Sequence, residues 1–411
     1  MSSTSGHPGS DRPSVAPAAA TPGDGPAVYW QEFTVPFRYP VHFTEGLFQP
    51  HNPLLADVMA MLEPGRRHRA LLFIDDGVAA ALPDLAGSIA AYAGHHAGRI
   101  ELVAPPIPVA GGEKIKSELY FIEQMQQALY DHHIDRHSYV IAVGGGAVLD
   151  AAGLVAATTH RGIRHIRVPT TVLAQNDSGV GVKNGVNLHG SKNFVGTFAP
   201  PFAVLNDLDF VAALPARDKI AGMAEAVKVA LIRDRAFFQW LEGNADRLAL
   251  FDRAAMATMI RRCAELHMRQ IAHGGDPFET GSARPLDYGH WSAHKLEAMT
   301  RHHLRHGEAV AIGIALDTRY SVRRGLLAPG EEERVCWLLE HLGFRLWHPA
   351  LEKAGPQGLA VMAGLQEFRE HLGGELTITL LAGIGVGIEV HEIDDALMAE
   401  CIGWLKSRES V

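Results

Sequence analysis

The chain has 411 residues, 47% of them hydrophobic, and 37 Lys and Arg against 46 Asp and Glu give a formal charge of −9. That length divides into two domains, since single cores rarely grow beyond about 250–300 residues, and the negative balance excludes general attraction to nucleic acid or an anionic membrane while leaving room for a local cationic pocket. Cys263, Cys336 and Cys401 form no CxxC pair, which excludes a disulfide framework and a cysteine zinc site and makes a reducing cytoplasm the expected location.

Residues 1–26, rich in Ser, Gly, Pro and Ala, cannot offset backbone entropy by apolar burial and are expected to be a disordered tail. They lack the halves of a signal peptide, and no later apolar run approaches the roughly 18 residues of a membrane span. The segment from Tyr29 to Phe43 reads as a strand or hairpin, with Pro36 and Pro40 assigning it to an edge. An alternation follows: strand Ala70–Asp75, a helix from about Leu82, strand Arg99–Val103, helix SELYFIEQMQQALYDHH, strand Ser138–Val143 and another helix. This pattern predicts a doubly wound α/β domain over 27–200. Beyond Pro200 come amphipathic helical stretches near 216–241, 251–272, 289–324 and 331–342, with one late strand at Glu375–Leu381. A mostly α-helical domain over 201–411 is therefore expected.

The strand ending at Val143 runs into Gly144, Gly145 and Gly146 and then a helix-compatible stretch. Such a turn lets a pyrophosphate approach the backbone at a helix N-terminus, although the spacing is not GxGxxG and a purely structural turn fits as well. Asp75 ends a strand where a ribose-binding acid or a simple turn residue would sit, and Glu113 and Lys116 read either as a capping pair or as ribose contacts. From Gln175 to Gly196 lies the densest polar stretch, with Asp177, Lys183, Asn184, Asn187, Lys192, Asn193 and five glycines. A permissive loop with these side chains can wrap a polyhydroxylated phosphate, or can be a solvated surface loop.

In the helical half Glu225 and Lys228 are three apart among small and apolar residues, His290 and His294 are four apart, and His306 precedes Gly307 and Glu308. A carboxylate with two imidazoles is a common catalytic metal set, and the i,i+4 spacing makes both His290 and His294 candidate ligands. Buried histidines that merely pack are the alternative.

Taken in order, GGGAVLDAAG, RGIRHIRVPTTVL, DSGVGVKNGVNLHGSKNFVG, GMAEAVKVALIRD, DYGHWSAHKLE and HGEAVAIG resemble the motifs of 3-dehydroquinate synthase and its sugar phosphate cyclase relatives over residues 70–385. The resemblance implies an NAD-binding α/β domain, a helical domain holding a divalent metal such as zinc or cobalt, an active site between them and a homodimer. It implies Glu225, His290 and His306 as metal ligands, with His294 moved to the substrate phosphate. It places Lys183, Lys192, Asn193 and Lys228 on the substrate, Asp177 on its hydroxyls, and Arg161 within reach of the phosphate across the dimer. Asp75, Glu113, Lys116, Gly145, Gly146, Asp150, Thr170 and Thr171 fall on the cofactor side.

The departures bear on substrate. Where 3-dehydroquinate synthase carries an arginine, an asparagine and, further upstream, a lysine, this chain has Ala283, Asp287 and Arg269, with Arg284 displaced by one. The family's arginine and lysine grip a substrate carboxylate, so an added acid in their place favours a neutral polyol. A lysine pair near the family's C-terminus is also absent, Arg369 and Glu370 being nearest. Relatives without the carboxylate grip, such as 2-epi-5-epi-valiolone synthase, use sedoheptulose 7-phosphate, but they generally lack the histidine matching His294, which leaves room for another cyclitol-forming branch. The expected activity is a phosphate-eliminating cyclase acting on a heptulose phosphate. The competing readings are a divergent 3-dehydroquinate synthase, a metal-dependent polyol dehydrogenase of the glycerol dehydrogenase type, and an inactive sugar-phosphate-binding protein.

Overall fold

Seven strands, β1 (Val41–Thr44), β2 (His68–Asp75), β3 (Ile100–Leu102), β4 (Ile107–Val109), β5 (Tyr139–Gly144), β6 (Arg164–Pro169) and β9 (Ala203–Asp207), build one sheet in the order β1-β9-β6-β5-β2-β3, with β4 beside the end of β2. Every pairing in it is parallel. The computed structural model describes residues 28–189, 191–278, 285–356, 358–371 and 376–409; the expected tail, Ala283 and Arg284 lie outside these. Residues up to Phe37 and Arg38–Val411 are separate units. In the first, 28–37 take no regular element, so the strand expected from Tyr29 is confined to β1, past both prolines.

The parallel sheet is buried on both faces, and period two sorts its residues. Ala70, Leu72, Ile74, Ile141 and Val143 join Ile89 and Tyr92 of the Leu85–His95 helix in one core. Leu71, Phe73, Val140 and Ala142 join the Leu119–Asp131 and Gly146–Thr158 helices in another. The fold is thus the doubly wound α/β arrangement followed by helices. A third core is shared by the Ala216–Arg233, Arg253–His273, His290–Met299, His306–Arg323, Glu331–His341 and Asp395–Glu409 helices. The late strand lies at Ile378–Gly383, in a hairpin with Val386–Val390.

Two expected helical stretches are interrupted. The first ends at Asp234, whose extended backbone lets its carboxylate accept from Phe237 N and cap a new helix. The second stops at Met299 and resumes at His306, which places His306 in the first turn of its own helix.

The polar stretch expected as a loop is largely ordered. Ala174–Ser178 forms a π-helical turn, and β7 (Lys183–Leu188) pairs antiparallel with β8 (Ser191–Phe198). A Cβ on Gly196 would lie 2.5 Å from Asn184 O, so this glycine permits close approach of two strands rather than mobility. Beneath the segment the fully buried Arg167 donates to Gly179 O at 3.1 Å, Gly181 O at 2.9 Å, Lys183 O at 2.9 Å and Asn184 Oδ1 at 2.7 Å. One guanidinium therefore fixes the path between the turn and the hairpin by satisfying carbonyls that would otherwise be buried alone.

Candidate active site

Glu225 lies in the middle of the Ala216–Arg233 helix and is fully buried. Its Oε1 is 3.8 Å from His290 Nε2 and 3.6 Å from His306 Nε2, and the three ligand atoms lie within 4.8 Å of one another. A tetrahedral ion with bonds of about 2.0–2.2 Å closes such gaps with a small shift. The other ring nitrogens are already committed: His290 Nδ1 is 3.0 Å from Tyr288 O, and His306 Nδ1 is 3.1 Å from Glu297 Oε2. Each imidazole thereby turns Nε2 toward the carboxylate. Glu225 Oε2 pairs with the Lys228 ammonium, whereas Oε1, the oxygen facing both imidazoles, accepts no well-formed hydrogen bond and is left for a cation. The donor set fits a divalent ion.

The backbone holds these three side chains together through close packing. Gly289, left-handed at φ +76°, caps the His290 helix, and its N–H donates to Asp317 Oδ2 at 3.0 Å while Trp291 Nε1 donates to Oδ1 at 2.9 Å. A Cβ on Gly307, next to His306, would lie 1.8 Å from Ala221 O, so only glycine lets His306 come down on the Glu225 helix.

Electrostatics sharpen the assignment. Burial opposes charge on Glu225, yet the Lys228 ammonium first and then the adjoining His306 imidazole hold it well below the usual glutamate range. Burial alone would lower Lys228, but Glu225 first and then Asp177 and Asp287 raise it, so it stays an ammonium. His290 is held well below the usual histidine range by burial and then Lys228, which leaves it neutral, as a ligand must be. Burial would also lower His306, but the Glu225 carboxylate beside it and the Glu297 carboxylate at its Nδ1 carry it up to about 9. An ion binding at His306 near neutral pH therefore displaces a proton.

Glu297, which sequence reasoning passed over, joins two parts of the site. One oxygen faces His306 and the other accepts from Lys192 Nζ of β8 at 3.2 Å. Its position seven residues after His290 on one helix face was the available signal. The substitution Glu297→Gln is expected to weaken metal affinity about 10–100-fold, the usual effect of removing a carboxylate behind a ligand histidine. Competition of the variant against a chelating dye for zinc measures it, and an unchanged affinity would contradict the role.

The remaining candidates divide between the two sides. His294 is exposed, with its ring 5.4 Å from that of His290 and 6.1 Å from that of His306. Lys183 is exposed at the start of β7. Lys116 Nζ is buried and donates to Asp150 Oδ2 at 2.7 Å and to Asn193 Oδ1 at 2.5 Å, while Asn187 Nδ2 donates to Glu113 Oε2 at 3.0 Å. These contacts tie the hairpin to the segment carrying Glu113 and Lys116. Gly145 opens the Gly146–Thr158 helix with no side-chain cap, and a Cβ on Gly146 would lie 2.6 Å from Ser178 Oγ. Asp75 Oδ1 accepts from Gly77 N at 2.9 Å and Val78 N at 3.3 Å, a helix cap. Thr171 Oγ1 accepts from Ala174 N at 3.1 Å, and Thr170 Oγ1 is buried with no hydrogen-bond partner among the described residues. Arg161 is exposed with φ +63° in the Thr159–Arg161 turn. Arg269 is exposed and takes no part in these contacts; the residue of its helix that faces the site is His267, whose Nε2 lies 3.2 Å from Asp177 Oδ1. Arg369 and Glu370 are exposed on the Ala363–His371 helix.

A doubly wound parallel sheet followed by a helical half that carries a Glu–His–His set is the arrangement of an enzyme able to hold a dinucleotide and a divalent ion. The family models for the N-terminal and C-terminal parts of 3-dehydroquinate synthase match residues 106–221 and 222–364, and the chain belongs to that family. A 3-dehydroquinate synthase from Halorhodospira halophila is 40% identical over 282 residues, 68% of this chain and 77% of that protein. The 2-epi-5-epi-valiolone synthase from Streptomyces hygroscopicus subsp. jinggangensis 5008, solved with NAD+ and Zn2+, superimposes with a TM-score of 0.82 at 29% identity, over 92% of this chain and 100% of that one. A 2-deoxy-scyllo-inosose synthase solved with carbaglucose-6-phosphate, NAD+ and Co2+ gives 0.71 at 25%, over 88% and 95%. A probable glycerol dehydrogenase from Sinorhizobium meliloti 1021, at 19% identity and 0.57, shares the fold. No helix among the described residues is long and apolar enough to cross a membrane.

Proposed function

We propose that this enzyme converts a heptulose phosphate without a carboxylate, sedoheptulose 7-phosphate, into a C7 cyclitol with loss of inorganic phosphate. The observation that carries the substrate preference is the surroundings of Lys228: Glu225, Asp177 and Asp287 all act on this one buried ammonium. Glu225 and Asp177 match residues of 3-dehydroquinate synthase, so the distinguishing acid is Asp287, which stands where that enzyme carries an asparagine; a substrate carboxylate would meet repulsion from it and a polyol an acceptor for its hydroxyls.

Glu225, His290 and His306 hold zinc or cobalt in this reading, and Asp75, Glu113, Lys116, Gly145, Gly146, Asp150, Thr170 and Thr171 form the side that receives NAD. When bound, NAD supplies a reversible hydride acceptor and the metal a Lewis acid for a secondary alcohol oxygen. Asp177 accepts from substrate hydroxyls. Lys183, Lys228 and Asn193 face negative charge that develops on oxygen during elimination and ring closure, where fixed donors are most effective. Lys192, His294 and Arg161 bind the phosphate, Arg161 from the partner of a homodimer. The division at residue 200 then separates cofactor from metal, and the reaction is that of a carbon–oxygen lyase in the cytoplasm.

The purified protein with NAD and zinc or cobalt is expected to release phosphate from sedoheptulose 7-phosphate without net NADH accumulation, and NMR will identify the cyclitol. Release only from the carboxylated heptulosonate phosphate would make it a divergent 3-dehydroquinate synthase. Net NADH formation from an alcohol without phosphate release would make it a polyol dehydrogenase.

A further inference from the structure

His267 lies on the Arg253–His273 helix and is 2% exposed. Its Nδ1 is 3.0 Å from the carbonyl oxygen of Cys263, one turn earlier. A carbonyl only accepts, so Nδ1 carries a proton and the ring is locked in one orientation. That orientation aims Nε2 at Asp177 Oδ1, 3.2 Å away. The approach falls short of a well-aligned hydrogen bond, and Nε2 has no other hydrogen-bond partner among the described residues. An unprotonated Nε2 would face the carboxylate lone pair to lone pair, so this placement is favourable only when Nε2 carries a proton as well.

Asp177 needs such a hold. It sits on the Ala174–Ser178 turn with its side chain 31% exposed, and its charge acts on Lys228, which Glu225 already engages. Left alone, the carboxylate gains most by turning both oxygens toward that ammonium. We propose that His267, with a proton on each ring nitrogen, is a positioning residue whose Nε2–H holds Oδ1 of Asp177 and leaves Oδ2 aimed into the pocket as an acceptor for substrate hydroxyl groups. The selected substrate class is a polyol phosphate presenting a hydroxyl at that point. This rests on the reading of Asp177 as a substrate ligand given above.

The test compares the full-length wild type with His267→Gln, His267→Asn, Asp177→Asn and the double variant His267→Asn/Asp177→Asn, all loaded with zinc. The Gln amide nitrogen reaches the place of Nε2, whereas Asn reaches only that of Nδ1. With NAD omitted, calorimetric affinity for sedoheptulose 7-phosphate is expected to fall about 10–100-fold in H267N, the scale of one charge-assisted hydrogen bond, and to stay within about threefold of wild type in H267Q. The double variant should bind no more weakly than D177N alone, because both changes remove one interaction. A structural role would instead lower the melting temperature of H267N and H267Q together, with H267N and D177N effects that add. That pattern would overturn the proposal. If the wild type binds neither this sugar nor the carboxylated analogue, the functional reading fails separately. Crystal structures of wild type and H267N then decide: Asp177 turned onto Lys228 in the variant supports the positioning role, and an unmoved Asp177 refutes it.

Discussion

Glu225→Gln is expected to abolish metal retention and to reduce phosphate release by about 10³-fold or more, the scale of losing a Lewis acid worth several kcal/mol. The change conserves shape, so the effect is chemical. An amide exchanges one acceptor oxygen for an NH2 group in a site where Nε2 atoms of His290 and His306 converge at 3.8 and 3.6 Å from Oε1, and it removes the negative charge that attracts the cation. Elemental analysis of the dialysed variant checks the first part and a phosphate assay the second. Retention of about one metal per chain would mean that the ion is held elsewhere.

Lys228→Met has the second large effect, and its size depends on the metal. With the ammonium gone, Glu225 is a fully buried carboxylate without its principal counter-charge. Breaking a buried pair from one side costs about 3–5 kcal/mol. A bound divalent ion takes over that neutralisation, so the loss of melting temperature should be large in chelator and small with saturating zinc. Equal losses in both conditions would place the ion away from Glu225. Activity is expected to be lost in either case, because Lys228 is the buried ammonium on which Glu225, Asp177 and Asp287 all act.

The sheet was legible because its strands are short apolar runs separated by helical periods; β2 and β5 lie within a residue or two of their expected bounds. The hairpin β7–β8 was not, because half of its strand residues are Lys, Asn or Gly, and its order comes from below, through Arg167, and from the side, through Lys116 and Glu113. Those are long-range contacts with no local periodicity. The spacing of His290 and His294 suggested two ligands on one helix. The break at residues 300–305 also turns His306 back beside both, a consequence of where one helix ends and the next begins that composition does not encode. His267 and Glu297 were missed for the same reason: each acts through a partner distant in sequence, Asp177 and Lys192.

Glu297 divides its two oxygens between a lysine of the hairpin and a histidine of the metal set. A ligand that draws Lys192 onto its own phosphate leaves the whole Glu297 charge to His306, making that imidazole a more basic ligand. Linkage requires the reverse as well: a loaded metal site must raise affinity for that phosphate by the same factor. The carboxylate is thus a two-way coupling element. Phosphate titrations in the presence and absence of zinc, and zinc titrations in the presence and absence of phosphate, should return one shared coupling constant.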